Sequence, residues 1–169
     1  MAALPIHEFP EAVLRRKAAP VRAIDNVLQH LIDEMIQTMY TAPGIGLAAP
    51  QVGVSLQLFV VDVTSGREAS GLMTFINPEM LKTEGRVQED EGCLSLPGVY
   101  GPTPRAAHVL LRGMNRTGEV VEVEAEGLLA RALQHELDHL QGMLFFNRMG
   151  PAGRDLVIRK FKRAQRQRR

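Results

Sequence analysis

Cysteine is nearly missing from this chain: Cys93 is the only one among 169 residues. A lone cysteine cannot close an intrachain disulfide, so a secreted scaffold stapled by disulfides is excluded. There is no run of about eighteen apolar residues, which excludes a membrane-spanning helix. The opening segment, Met1-Ala2-Ala3-Leu4-Pro5-Ile6-His7-Glu8, has no basic stretch leading into an apolar one. No secretory signal is therefore expected, and the expected compartment is the cytoplasm. Linker-like tracts and internal repeats are also lacking. The length suits one domain that buries roughly two-thirds of its unfolded surface.

Against these absences, Gln134-His135-Glu136-Leu137-Asp138-His139 is dense in chemistry. In a helix, about 3.6 residues per turn place His135 and His139 one turn apart on one face, where they can share a metal. Glu136, rotated partly aside, can reach a water on that metal. The segment from Gly127 to Leu133 leads in as a largely apolar helix, and Gly142 can end it. Buried histidines and carboxylates need partners, and a metal supplies them. A catalytic metal usually takes a third protein ligand. Cys93, in Glu91-Gly92-Cys93-Leu94-Ser95-Leu96-Pro97, is the candidate; its plainer reading is a small buried hydrophobe. His7, His30 and His108 read as surface or packing residues.

A third segment, Gly44-Ile45-Gly46-Leu47-Ala48-Ala49-Pro50-Gln51-Val52-Gly53, superficially imitates a dinucleotide-binding turn. That turn must follow a strand and open a helix. Here a helical pattern precedes it and Pro50 obstructs a following helix. It reads better as an extended glycine loop whose backbone a substrate can approach, with the Gln51 amide as a hydrogen-bond donor.

The three segments, G-x-G-L-A-A-x-Q, E-G-C-L-S and Q-H-E-x-D-H in this order, resemble those of a bacterial-type peptide deformylase, and the resemblance extends to about residue 150. It implies Cys93, His135 and His139 as ligands of one divalent metal, natively iron(II), with zinc, nickel or cobalt able to substitute. It further implies Glu136 as general acid/base, and Gln51 and the Leu94 backbone N–H as donors to the developing oxyanion. Gly46 and Gly92 resemble the positions whose backbone pairs with the bound peptide. The implied reaction is hydrolysis of the formyl amide of N-formylmethionyl peptides by a metal-activated water, releasing formate. A methionine pocket is then expected from Ile45, Leu128 and Ala132, because Leu128, Ala132 and His135 share a helical face. Arg131 could add its methylenes. Arg105 either pairs with Glu91 or is exposed, Gln134 is a structural donor, and Asp138 pairs with a nearby cation.

The expected fold is α+β, with short antiparallel sheets packed around a central helix carrying the H-E-x-x-H motif. Residues 25–40 form an amphipathic helix capped by Asp25 or Asn26, its core face marked by Leu28, Leu31, Met35 and Met39. Strands are expected at Leu56–Val63, at Leu72–Ile76 ending before Asn77-Pro78, and in a hairpin, Ala107–Met114 and Glu119–Ala125, around Asn115-Arg116-Thr117-Gly118. Glu122, Glu124 and Glu126 alternate onto the solvent face.

A catalytic domain over residues 1–150 is expected to be followed by a basic helix and tail over 151–169. From Arg154 onward there are eight Lys or Arg and one Asp, so the rest of the chain carries net −6 against a total of +1. Leu156, Val157 and Phe161 are expected to dock a short helix, and residues 162–169 have too little apolar content to fold alone. This tail reads either as a solubilising segment or as an electrostatic contact with ribosomal RNA. A monomer is expected. Three rival readings are a zinc endopeptidase, a non-catalytic metal-stabilised module, and a thiol redox sensor built on Cys93.

Overall fold

A four-residue apolar strand, β2 (Leu58–Val61), shows why the molecule has two layers of helix. All four residues are buried, and successive side chains point to opposite faces of the sheet. Phe59 and Val61 join one core with Phe75, Leu111, Ala130 and Leu133. Leu58 and Val60 join another with Leu28, Ile32, Met35 and Met39. A strand covered on both faces must be apolar at every position, which explains the unbroken Leu-Phe-Val-Val run.

The computed structural model describes residues 3–168. Its five-stranded antiparallel sheet has the order β1 (Gly46–Ala48), β2, β3 (Met73–Glu84), β6 (His108–Met114), β7 (Val120–Glu126). Between β3 and β6 in sequence, β4 (Val87–Cys93) and β5 (Leu96–Arg105) form a separate two-stranded sheet. Helix α1 (Asn26–Thr41) covers one face of the large sheet. Helix α2 (Gly127–Leu140) follows β7 directly and packs on the other. The α+β architecture agrees with expectation, as does the hairpin, where Gly118 N–H donates to the Asn115 carbonyl. The Asp25 carboxylate caps α1 by accepting from Leu28 N–H at 2.9 Å.

Local readings needed correction in three places. In α1 Leu28, Met35 and Met39 are buried as expected, but between them the deeply buried position is Ile32, while Leu31 is only partly covered. Strand β3 does not stop at Ile76 but continues to Glu84. Asn77, at φ +51°, begins a break in register between Ile76 and Glu79 that takes Pro78 out of the ladder. The Asn77 amide is held there by two hydrogen bonds to the backbone of Val21.

The third correction concerns the basic C-terminus. Helix α3 runs from Pro151 to Gln167, so the segment read as too polar to fold alone continues a docked helix through most of its length. Proline at the first helical position suits this start. Val157 and Phe161, four residues apart, are buried against Leu96, Val99, Phe145 and Phe146, whereas Leu156 remains 45% exposed instead of docking. Arg168 reaches back to Glu8 at 3.1 Å; Arg169 lies outside the described residues.

Docking of α3 through one aromatic side chain predicts that Phe161→Ala destabilises the protein by about 3–5 kcal/mol, and that Leu156→Ala changes stability by less than about 0.5 kcal/mol. Urea unfolding of the two variants measures both; equal effects would mean that α3 is not anchored as described.

Candidate metal centre and active site

Helix α2 delivers two imidazoles to one point. His135 and His139 bring their Nε2 atoms to 3.3 Å of each other, and Cys93 Sγ lies 3.4 Å from His139 Nε2. Bond lengths of about 2.0–2.1 Å to nitrogen and 2.3 Å to sulfur, in a tetrahedron, put ligand atoms about 3.3–3.6 Å apart. The donor atoms of all three residues lie within 4.8 Å of one another. The set fits a divalent metal in spacing and in chemistry. The other histidines lie elsewhere, His7 beside Glu11, His30 beside Glu34 and His108 beside Glu126.

Cys93 ends β4, where the pairing with β5 slips between Gly92 and Cys93. The slip turns the thiol toward α2. Two donors then face the sulfur: Ser95 N–H at 3.4 Å and Gln51 Nε2 at 3.6 Å. Gln51 is buried in the short turn after β1, where its Oε1 accepts from Ala48 N–H and its Nε2 also donates to Ser95 Oγ at 3.1 Å. Ser95, fully buried, thus links the glycine loop to the cysteine segment. Sequence reading missed this role, though the residue stands within the motif.

A chain of buried charges fixes the orientation of His135. Its Nδ1–H donates to Glu91 Oε1 at 2.9 Å, leaving Nε2 free to ligate. Arg105 grips Glu91 with two hydrogen bonds of 2.8 and 2.9 Å and reaches Asp138 with a third of 2.6 Å. Asp138 also takes two from Arg148. Burial alone would raise the Glu91 pKa, but the hydrogen bonds from Arg105 and His135 outweigh it and hold it at about 2. The pairings of Arg105 with Glu91 and of Asp138 with cations agree with the sequence; the Glu91–His135 bond was not located there. Phe145, also missed, stacks on the His135 ring at 6.3 Å. Gln134 ties α2 to the backbone of Ala106 with both ends of its amide.

Glu136 is buried, and its Oε1 has no hydrogen-bond partner among the described residues. Burial pushes its pKa up to about 7, against the pull of His135 and Arg105. A carboxyl group poised there can take up and release a proton at neutral pH. Gly46 makes room for it: a Cβ at this position would sit 2.5 Å from Glu136 Oε2.

A cavity of about 450 Å³ opens over this cluster. Ile45, Gly46 and Gln51 line it from the glycine loop, Gly92, Cys93 and Leu94 from the cysteine segment, and Ala132, His135 and Glu136 from α2. His139 lies behind it, 1% exposed. Leu128, expected in the methionine pocket, stands 42% exposed and is not among the residues lining this cavity.

Related proteins have the same arrangement of chain. Residues 3–155 match the family model described as polypeptide deformylase. The peptide deformylase of Syntrophobacter fumaroxidans is 51% identical over 163 residues, 96% of each chain, and that of Thermodesulfovibrio yellowstonii is 49% identical over 96% of this chain and 98% of its own. Among solved structures, a peptide deformylase from Legionella pneumophila superposes with a TM-score of 0.93 at 41% identity, covering 99% of this chain and 98% of that one. One from Synechococcus elongatus in complex with actinonin gives 0.88 at 42% identity, over 93% and 86%. Likeness of this extent, along nearly the whole sequence and throughout the fold, means that the chain belongs to the polypeptide deformylase family.

Proposed function

We propose that this deformylase, a hydrolase that removes the formyl group from N-terminal formylmethionine and releases formate, holds its metal through Cys93, His135 and His139 and uses Glu136 as its general acid/base. The observation that carries the assignment is the convergence of the three donor atoms beside a buried carboxyl group at the floor of an open cavity. A divalent metal held there would supply Lewis acidity and bring the pKa of a bound water down to about 7. Iron(II) is the native ion in this reading, and zinc, nickel or cobalt suit the same donors.

The protein's own groups account for the remaining steps. Glu136 takes a proton from the attacking water and passes it to the departing amine nitrogen, which its near-neutral pKa favours in both directions. Gln51 Nε2 and the Leu94 N–H, both on the cavity wall, donate to the carbonyl oxygen as it gains charge. Each such donor is typically worth about 2.7–4 kcal/mol in the transition state. Strand β1 is an edge strand, paired only with β2, so its outer side can pair with an extended peptide. Gly46 on that edge and Gly92 opposite it give the peptide backbone close approach. Ile45 and Ala132 form apolar walls for the methionine side chain. The narrow space between two glycine-bearing segments suits a one-carbon acyl group.

An endopeptidase of the H-E-x-x-H type is less well supported. No histidine follows His139, and Cys93 lies where it can serve as the third ligand. A purely structural metal site would have no use for a buried, unpartnered carboxyl group such as Glu136.

The exposed side of α3 carries most of the C-terminal basic residues, and no helix of the described residues is long and apolar enough to cross a membrane. A cytoplasmic enzyme acting on nascent chains would find ribosomal RNA beside its substrate, and α3 offers the cationic surface for it.

Glu136→Gln keeps the side chain's size but removes the base. Metal content should stay near that of the unaltered protein, while formate release from formyl-Met-Ala-Ser falls by about 10²–10⁴. Loss of metal, or full turnover by the metal-loaded variant, would contradict the assigned role. Deleting residues 162–169, which retains the Phe161 anchor, should leave that hydrolysis nearly unchanged and weaken co-sedimentation with ribosomes at low salt. Unaltered co-sedimentation would leave α3 without this partner.

A further inference from the structure

The charged groups lining the active-site cavity do not balance. Glu91, Arg131, His135 and Glu136 all reach it. Glu91 is saturated by Arg105 and His135, and Glu136 and His135 belong to the reaction. Arg131 remains. None of the ion pairs among the described residues includes it, although Arg105, Arg112, Arg116, Arg148 and Arg168 all have carboxylate partners. Its side chain is half-buried. A guanidinium brought to a largely apolar cavity without a counter-charge is available to a charge on the ligand.

The position of Arg131 also indicates which part of the ligand it meets. It stands four residues before His135, one helical turn or about 6 Å along α2 from the metal ligand. A peptide extended along the β1 edge repeats its side-chain direction every second residue, about 6.8 Å apart. The first and third side chains therefore fall on the same face, and the second points to the opposite one. With the first side chain held against Ala132 and Ile45, the methylenes of the neighbouring Arg131 run past it along the cavity, and the third side chain, on the same face, is the next that the guanidinium at their end can meet.

We propose that Arg131 is a specificity-determining residue that favours formyl-peptides with an acidic side chain, Asp or Glu, at the third position. This rests on the deformylase site assigned above and adds a selectivity to it. Its action is on binding: Arg131 is remote from the reacting bond, so the preference appears in KM and leaves kcat nearly equal between peptides. A partly exposed pair of this kind corresponds to a preference of roughly twofold to fivefold, weakened by added salt.

The test uses the metal-loaded full-length protein and peptides amidated at the C-terminus, so that no terminal carboxylate competes. Formate release is compared for formyl-Met-Ala-Glu-Ser-amide, its positional isomer formyl-Met-Glu-Ala-Ser-amide and the neutral formyl-Met-Ala-Gln-Ser-amide. The unaltered enzyme should favour the first over the third by roughly twofold to fivefold in kcat/KM, through KM, with little gain for the isomer. Arg131→Gln should abolish that ratio, and Arg131→Glu should invert it. A preference that survives in Arg131→Gln, a gain of equal size for the isomer, or no preference in the unaltered enzyme would overturn the proposal. Absence of formate release from the neutral peptide would instead overturn the site reading on which it rests.

Discussion

The proposed metal centre depends on a bond between layers. Two of the proposed ligands come from α2 on the large sheet, and the third comes from the tip of a separate two-stranded sheet. Arg105, on β5, holds the two bodies together with one side chain, two hydrogen bonds going to Glu91 on β4 and one to Asp138 on α2. Its planar, permanently charged fork suits this task where a point charge would not. Such a buried network is no reservoir of stability, because desolvating its charges offsets most of their attraction. What it provides is position: with Glu91 fixed, the His135 ring is oriented, and Cys93, two residues along β4, lies beside it.

The setting of the carboxyl group proposed as general acid/base follows from the same packing. Pressed between α2 and the glycine loop, Glu136 is nearly deprived of solvent, which raises its pKa to about 7, and its Oε1 has no hydrogen-bond partner among the described residues. The glycine at position 46 is what permits that approach. The burial that makes the group a poor structural element is what suits it to proton transfer at neutral pH.

Much of this was legible in the sequence where chemistry is local. The i, i+4 histidines, the Asp25 cap and the hairpin around Gly118 are set by spacing and turn preference, and they appear as read. Departures arose where tertiary context decides. Nothing local distinguishes Leu31 from Ile32 as the core residue; the angle at which α1 meets the sheet does. Pro78 signals a strand end, yet Asn77 in a left-handed conformation makes a bulge instead, because Val21 is there to bind its amide. The basic C-terminus lacks the apolar content for an isolated helix, but Val157 and Phe161 find a prepared surface on β5. Ser95 and Phe145 carry no sequence signal that separates supporting residues from ordinary core.

The central claim is that Arg105, without touching the metal, sets the affinity of the site by fixing Glu91 and hence His135. Arg105→Lys retains the charge and loses the fork. Its affinity for zinc, measured by competition with a chromophoric chelator while circular dichroism reports a native fold, should fall by about 10–100-fold. An affinity equal to that of the unaltered protein would contradict the account.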